Sequence, residues 1–169
     1  MQLRDFQPSK VDFHRTCRNG QEARQCSYDG QPFMPWVQFD AVVQFDHVPD
    51  NKLVLKVNDD ALDQFRALDA QFKQEAPSPD ARYNPIVYDH EKFRADVRLH
   101  LSKYIRDHAD PPDDGRDAPV VYRGAHVTCI ARILRWYESP DYGVGYSMKI
   151  DRIRVRDVDP ETRPPQFLE

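Results

Sequence analysis

Two long segments in the second half of the chain alternate between apolar and polar residues, and this pattern constrains the fold more than any other feature. The segments span 120–137 and 143–155. Their apolar faces comprise Val127, Cys129, Ala131 and Ile133 in the first and Val144, Tyr146, Met148 and Ile150 in the second. A period of two is typical of half-buried β-strands, and the short connector 138–141 predicts an antiparallel hairpin. The apolar phase then shifts at Ile153, which predicts a β-bulge near Asp151.

Further extended segments are predicted by the same pattern. Residues 36–46 and 52–57 alternate clearly enough to predict two strands that pair as a hairpin. Residues 82–88 are extended but contain Pro85, which lacks a backbone donor and restricts the segment to a sheet edge. Residues 89–105 fit both a helical stripe and a strand. The strand template accommodates one more leucine, so we predict a strand there.

One segment follows the helical period instead. Its apolar residues, spaced three and four apart, are Leu62, Phe65, Leu68 and Phe72. Asn58 or Asp59 is suited to cap the segment, and prolines 77 and 79 end it, so we predict an amphipathic helix of about 16 residues. Together, the predicted strands and the helix indicate a mainly β fold, an OB-like small β-barrel of five or six antiparallel strands with one inserted helix.

These elements divide the chain into three predicted parts. Residues 1–35 show little periodicity and predict an irregular N-terminal arm or a poorly packed first hairpin. Residues 36–156 are expected to hold the OB-like β-barrel domain, which includes an aspartate-rich, solvated loop at 107–117. Residues 157–169 are expected to form an acidic, proline-rich C-terminal tail.

Composition is typical of a globular protein. The 169 residues are 40% hydrophobic and 31% charged, with a formal net charge of -4. This balance argues weakly against a generally basic nucleic-acid-binding surface and leaves room for a local basic face. The three cysteines are too few and odd in number for a disulfide scaffold, and neither a leader nor a membrane-length apolar run occurs. We therefore expect a reducing compartment, cytoplasmic or nuclear, with no secretion and no membrane contact.

No group of residues has the spacing of a known catalytic motif. His14, Cys17 and Cys26 offer three metal ligands, but no fourth lies at finger spacing. The adjacent aspartates at 59–60 and 113–114 are typical of a helix start and of a solvated turn. We therefore predict a protein that is not an enzyme and holds no metal or cofactor.

The predicted C-terminal hairpin has a distinctive charge and aromatic content. Residues 119–156 contain seven Lys or Arg and three acidic residues, whereas 107–117 and 157–169 are acidic. The aromatic residues interleaved with the basic ones are Tyr122, Trp136, Tyr137, Tyr142 and Tyr146. Such surfaces stack nucleobases on the aromatic rings while the cations follow the phosphates. The pattern therefore favours nucleic-acid binding.

The same residues also fit a purely structural interpretation. Tyr146 is in phase with the apolar face of its strand, which is more typical of the core than of a stacking surface. Trp136 is in phase with Arg132, which leaves a buried position and an exposed stacking role equally open. The arginines at 152, 154 and 156 alternate with apolar residues, as on the solvated face of an edge strand.

The closing hairpin resembles that of one protein family. The resemblance is carried by Val-Tyr-Arg-Gly at 121–124, Ile-Ala-Arg-Ile at 130–133, Trp-Tyr at 136–137, Tyr-Gly-Val-Gly at 142–145 and Ile-Asp-Arg-Ile-Arg-Val at 150–155. Mainly over 119–157, the chain is similar to the OB-fold single-stranded-DNA-binding proteins of tailed phages and large DNA viruses. The resemblance implies sequence-independent binding of single-stranded DNA in viral or phage replication or recombination, inside an infected host cell. It also implies that the tail, with Phe167, shields the DNA groove and recruits replication proteins.

The residues and the resemblance together predict a set of nucleic-acid contacts. The candidate binding residues are Arg123, Arg132, Arg135, Trp136, Tyr137, Tyr142, Lys149, Arg152 and Arg154, with Tyr122 as a further stacking candidate. The alternative hypothesis is a structural or assembly protein, such as a minor virion component, that uses the same β-barrel as an interaction module. The proline-rich termini suit that alternative because they are able to lie along a neighbour. Both hypotheses leave homo-oligomer formation open.

Overall fold

The computed structural model describes residues 1–18, 21–47, 52–76, 78–90, 93–102, 109–111, 115, 121–139, 141 and 143–156. Two short 3-10 turns, Leu3–Asp5 and Pro8–Lys10, open the chain. The described residues then form nine strands and one α-helix: β1 (Val11–Arg18), β2 (Gln21–Tyr28), β3 (Val37–His47), β4 (Lys52–Val57), α1 (Asp59–Gln74), β5 (Tyr83–Asn84), β6 (Val87–His90), β7 (Phe93–Leu101), β8 (His126–Ser139) and β9 (Gly143–Val155). The predicted mainly β class is confirmed.

Seven of the described strands form one sheet that closes on itself. Its order is β5-β9-β8-β3-β4-β7-β6, and an additional pairing joins β7 to β9. That pairing is parallel and aligns His100 with Lys149 and Leu101 with Ile150. The strands β3, β4, β7, β9 and β8 therefore form a closed, barrel-like ring. Closure removes exposed strand edges, which otherwise invite pairing with other chains.

Both predicted hairpins are present. β3 pairs antiparallel with β4, and β8 pairs antiparallel with β9 along most of their length. In the second hairpin Ile130 faces Arg152 whereas Ala131 faces Ile150, so Asp151 has no partner in the register. This extra residue confirms the bulge that the shift in apolar phase predicts near Asp151.

The less clearly patterned segments are also extended. β5 and β6 lie on either side of Pro85 and are the two end strands of the sheet order, as a proline-containing segment requires. β7 lies within the ambiguous segment 89–105, and its period of two confirms the strand. Its buried residues are Val97, Leu99 and Leu101, and the exposed residues between them are Arg98 and His100. Residues 103–105 of that prediction lie outside the described residues.

The predicted 16-residue amphipathic helix is confirmed as α1. The side-chain oxygen of Asn58 caps it by accepting a hydrogen bond of 2.8 Å from the backbone N–H of Ala61. Phe65, Leu68 and Phe72 on its inner face are fully buried. Burial of each such side chain contributes roughly 1.5–3 kcal/mol, so this face holds α1 on the barrel. No helix in the described part of the chain has both the length and the apolar composition that crossing a membrane requires.

A buried carboxylate joins α1 to the segment between β5 and β6. Asp69 accepts hydrogen bonds of 3.0 Å from the backbone N–H groups of Ile86 and Val87. It also accepts one of 3.0 Å from the Tyr83 hydroxyl. Burial raises the pKa of Asp69 above its ordinary value, and these hydrogen bonds oppose that shift. Bonds from several donors to one carboxylate are strong, and they fix the helix against the end of the sheet.

Residues 1–35 contain the first hairpin that the sequence left open as an alternative to an irregular arm, and its packing corrects the expectation of a poorly packed segment. β1 and β2 form a separate two-stranded antiparallel sheet. Phe13 on β1 meets Phe72 edge-on, with ring centroids 4.9 Å apart, and meets Trp136 at 5.8 Å. Other buried residues of this region are Leu3, Phe6, Val11, Cys26, Tyr28 and Met34. Periodicity does not predict this packing because single apolar side chains, separated by polar ones, make the contacts.

Two predicted polar segments lie wholly or partly outside the described residues. The tail 157–169 lies wholly outside them. In the described part of the loop 107–117, Ala109 and Asp110 are buried. The backbone N–H of Asp110 donates a hydrogen bond of 2.8 Å to the Ile153 carbonyl oxygen. This part of the loop is therefore packed against β9, which corrects the expectation of a solvated loop at these two residues.

Candidate nucleic-acid interface

The outward side chains of β3, β8 and β9, together with Arg156 just beyond β9, form a surface that we term the outer sheet face. It comprises Gln38, Asp40, Val42, His126, Thr128, Ile130, Arg132, Lys149, Asp151, Arg152, Arg154 and Arg156. Alternate residues of the same strands, including Phe39, Ala131 and Met148, are buried. The pleat of the strands therefore sorts the polar residues onto this face.

Four of the predicted binding residues meet on the outer sheet face. Arg132 on β8 lies directly opposite Lys149 on β9. Arg152 and Arg154 follow along β9 and also lie opposite residues of β8. The structure therefore brings these four basic residues onto one surface, as the alternation in the hairpin predicts.

A row of basic residues crosses four strands of the ring. Lys52 on β4 pairs with His100 on β7, and His100 pairs with Lys149 on β9. Lys149 in turn pairs with Arg132 on β8. We term these four residues the basic row; since neighbouring strands lie about 4.8 Å apart, the row is about 14 Å long. Lys149 and Arg132 carry like charges directly opposite one another, an arrangement that destabilises a sheet, so an anion bound over this pair would relieve their repulsion.

Carboxylates pair with several of these cations. Nε of Arg132 and Nζ of Lys149 lie 3.2 and 3.8 Å from the carboxylate of Asp151. Nε of Arg152 donates a hydrogen bond of 3.0 Å to Oδ2 of Asp110. Internal pairing lowers the positive potential of the outer sheet face. An anionic ligand at this face would therefore compete with the protein's own carboxylates.

An exposed aromatic residue, Trp36, immediately precedes β3 and lies beside the basic row. Half of Trp36, 50%, is exposed to solvent. The guanidinium carbon of Arg132 lies 4.9 Å from its ring centroid, within cation–π range. Its Nε1 donates a hydrogen bond of 2.8 Å to Oδ2 of Asp151. Two contacts thus hold an exposed indole at one end of the row of cations.

Trp136, a predicted stacking residue, is instead buried, and only 5% of it is exposed. Its ring stacks on Phe72 with centroids 6.1 Å apart. The cause is a register shift between Ile133 and Arg135, which leaves Leu134 as an extra residue on β8. Because an extra residue reverses the inward and outward phase of a strand, Trp136 faces the core. This corrects its predicted role at the surface.

The remaining predicted residues have other surroundings. Tyr122 and Arg123 are exposed in the turn that precedes β8. Tyr137 is half-buried and packs against the backbone of β9. The backbone of Arg135 lies in β8, whereas its side chain and the whole of Tyr142 lie outside the described residues. The exposed turn and Tyr137 are therefore separate from the basic row.

Three residues in or beside the basic row are absent from the sequence-based set: Lys52, His100 and Trp36. Lys52 and His100 join the row through the parallel pairing of β7 with β9, a long-range contact that local periodicity does not reveal. The pattern places Trp36 at the start of a strand, and nothing in it marks the contact with Asp151. In the sequence, only the residue types of Lys52, His100 and Trp36 indicate a binding role, since each is basic or aromatic.

Two candidate metal ligands of the N-terminal hairpin, His14 and Cys26, do not share a face. His14 pairs with Gln25 while Phe13 pairs with Cys26, so His14 and Cys26 lie on opposite faces of the hairpin. Burial raises the pKa of Cys26 to about 11, which disfavours the thiolate that a metal requires. The side chain of Cys17 lies outside the described residues. Within the described residues no three His, Cys, Asp or Glu side chains are grouped to hold a metal ion.

No protein-family model, curated protein or solved structure matches this chain. Its function is therefore inferred from the surface that the fold creates. The outer sheet face, the adjoining basic row and the exposed indole of Trp36 are the features from which a ligand class is inferred.

Proposed function

We propose that this protein binds single-stranded DNA, independently of base sequence, through the outer sheet face of an OB-type barrel. The observation that carries the proposal is the basic row across four strands, which ends at the exposed Trp36. Cations in such a row follow the phosphates, while the indole stacks on a base. Neither contact distinguishes one base from another, so the binding carries no sequence preference.

The order of strands in the ring supports an OB-type barrel. In chain order the ring consists of β3, β4, β7, β8 and β9. The OB-fold is a five-stranded barrel that binds oligonucleotides on the face of its second and third strands. Here those strands are β4 and β7, which supply Lys52 and His100 to the basic row. The row thus extends from the usual binding strands of this fold onto the basic hairpin β8–β9.

Local charge supports an anionic ligand even though the whole chain carries a formal charge of -4. The outer sheet face holds five Lys or Arg and two Asp, counted over the residues that define it. Each phosphate that these cations neutralise releases condensed counterions. The affinity should therefore fall steeply as the salt concentration rises.

Fluorescence anisotropy tests the proposal directly. The full chain is titrated into labelled oligo-dT of about 30 nucleotides, long enough for one or more OB-type sites. The titration is run at low and at moderate salt, with a duplex of the same length alongside. We expect tight, salt-sensitive binding to the single strand and much weaker binding to the duplex. Affinity that does not change with salt, or no binding at low salt, would contradict the proposal.

Three variants locate the interface. Lys149→Gln should weaken binding and reduce the salt slope by about one. Trp36→Ala should weaken it by roughly 1–3 kcal/mol, the contribution of one stacked base. Lys73→Gln, on the exposed side of α1, removes the same charge outside the outer sheet face and should leave binding unchanged. Equal effects of the two lysine substitutions would mean that DNA binds elsewhere.

A second candidate function, a structural or assembly role, is favoured by a different observation. Met1 and Phe33 are 52% and 79% exposed. Met1 is linked to the half-exposed Trp36, since its ammonium donates a hydrogen bond of 3.1 Å to the Trp36 carbonyl oxygen. Adjoining residues with exposed apolar side chains, such as Met1 and Trp36, are typical of protein–protein contacts. Sedimentation velocity over a range of concentrations tests self-assembly: a dimer that Phe33→Ser disrupts would support this role, and a monomer at all concentrations would contradict assembly through copies of this chain.

A further inference from the structure

Three side chains of the proposed interface meet at Asp151. Its Oδ2 accepts the hydrogen bond of 2.8 Å from Trp36 Nε1 and lies 3.2 Å from Arg132 Nε. Its Oδ1 lies 3.8 Å from Lys149 Nζ. One carboxylate thus contacts an indole N–H, a guanidinium and an ammonium group, and its side chain is only 22% exposed. The Asp151 carboxylate thus occupies the position at the end of the basic row where the phosphate of a bound oligonucleotide would lie.

The position of Asp151 in the sheet is compatible with a change in the orientation of its side chain. Asp151 is the extra residue of the bulge, and its neighbours Ile150 and Arg152 both pair with β8 while it does not. A bulge re-aims a side chain at a point where the ladder is already interrupted. Rotation of the Asp151 side chain away from the cations would therefore leave the pairing of the two strands intact.

We propose that Trp36, Arg132 and Lys149 form a subsite for one nucleotide, and that Asp151 occupies its phosphate position until nucleic acid binds. This inference rests on the proposed function. A carboxylate and a phosphodiester each carry one negative charge and present oxygen acceptors to the same donors. The phosphate therefore exchanges with Asp151 between the two cations, and the base stacks on the exposed part of Trp36.

This exchange makes Asp151 an internal competitor that selects among anions. A ligand that has a phosphate but no base gains little affinity, because its phosphate replaces a carboxylate that already offsets one of the two positive charges. A nucleotide gains in addition the stacking of its base on Trp36. Asp151 thus lowers the affinity for every anion. Mainly anions that carry an aromatic base still bind with a favourable free energy, because stacking on Trp36 adds to the phosphate contact. Inorganic polyphosphate should bind far more weakly than oligo-dT for this reason.

The test compares Asp151→Asn with Asp40→Asn in the full chain. Both substitutions remove one negative charge from the outer sheet face, and Asp40 is likewise paired, with Nη1 of Arg156 at 3.6 Å. Asparagine at 151 retains an oxygen that accepts the hydrogen bond from Trp36, so the indole keeps its orientation. We expect Asp151→Asn to tighten the binding of oligo-dT about tenfold, and Asp40→Asn less than about threefold. Asp151→Asn should also gain affinity for polyphosphate.

The outcomes separate the two proposals. If wild-type protein binds oligo-dT and the two asparagine variants shift the affinity equally, the subsite assignment is overturned and the proposed function stands. If neither the wild-type protein nor Asp151→Asn binds oligo-dT at low salt, the proposed function itself fails.

Tryptophan fluorescence gives an independent readout should Asp151→Asn not fold. The chain has two tryptophans, and the buried Trp136 serves as an internal reference. Oligo-dT should quench the emission of the wild-type protein, and Trp36→Phe should abolish the response. Quenching of the same size in Trp36→Phe would show that no base stacks on Trp36 and would overturn the subsite.

Discussion

The two tryptophans of this chain lie on opposite sides of the same sheet. Trp136 faces the interior, where its ring is close to those of Phe13, Phe72 and Tyr83. Trp36 lies at the margin of the outer sheet face, half exposed and in contact with a cation of the basic row. Both have an indole N–H bonded to a carboxylate. The side of the sheet, rather than the residue type, therefore decides whether the aromatic ring is buried in the core or exposed at the surface.

Carboxylates show the same division between the inner and outer sides. Asp69 on the inner side is buried and accepts three hydrogen bonds that connect α1 to the sheet. Asp40 and Asp151 on the outer side pair with partly exposed cations. A buried acceptor with several donors stabilises the fold, whereas solvent screens an exposed ion pair. The inner contacts are thus structural, whereas the outer pairs contribute little to stability and, under the proposed function, exchange with a ligand.

Substitution of each tryptophan by alanine tests this division with the largest expected effect. Trp136→Ala leaves a cavity among the aromatic rings of the core and should lower the free energy of unfolding by about 3–5 kcal/mol. Trp36→Ala removes a half-exposed side chain and should lower it by less than about 1 kcal/mol. Urea denaturation followed by far-ultraviolet circular dichroism measures both, since that signal does not require either indole. Similar losses in the two variants would contradict the division.

Asp69→Asn should have the next largest effect. An asparagine side chain has only one oxygen to accept hydrogen bonds from the Tyr83 hydroxyl and from the backbone N–H groups of Ile86 and Val87. Its amide N–H₂ group is itself a donor and would face these donors without an acceptor. We expect the free energy of unfolding to fall by about 1–3 kcal/mol at neutral pH. Urea denaturation measures this loss, and the exposed Asp63→Asn on the same helix serves as a control that should change little.

The pH dependence of this loss has a definite sign. Burial raises the pKa of Asp69 in the folded state above the ordinary value of 3.8, so the folded protein holds this proton more tightly than the unfolded chain. The corresponding stability is fully present below pH 3.8 and is lost as the pH rises through the folded-state pKa. The free energy of unfolding of the wild-type protein minus that of Asp69→Asn should therefore decrease as the pH rises from 3.8. An increase over that interval would mean that the hydrogen bonds outweigh the burial.

Most strands and the helix were predictable because their signals are local. Alternation located β3, β4, β8 and β9, and spacings of three and four located α1. The bulge at Asp151 was predictable because the apolar phase shifts visibly there. The bulge at Leu134 was not, since Ile133 and Leu134 are adjacent apolar residues and either one fits the inner face. That hidden shift is the reason that the side of Trp136 could not be predicted.

The candidate interface was predictable only within one hairpin. Arg132 and Lys149 lie on neighbouring strands joined by a short turn, so their alternation places them together. Lys52 and His100 reach the same row through closure of the ring, which brings together strands far apart in the sequence. Long-range pairing depends on the packing of the whole chain, and no window of local sequence contains it.

The smallest expected effect belongs to an ion pair of the outer sheet face. Asp40 accepts a hydrogen bond of 2.6 Å from Thr128 Oγ1 and pairs with Arg156, and the two charged side chains are 54% and 44% exposed. Asp40→Asn should change the free energy of unfolding by less than about 1 kcal/mol, because water competes for both charges. In a double-mutant cycle with Arg156→Gln the coupling energy should shrink further as salt is added. A coupling above about 2 kcal/mol would mean that the outer pairs hold the sheet together as the inner contacts do. A phosphate would then displace them only at a cost in stability, and the difference between the two sides of the sheet would not hold.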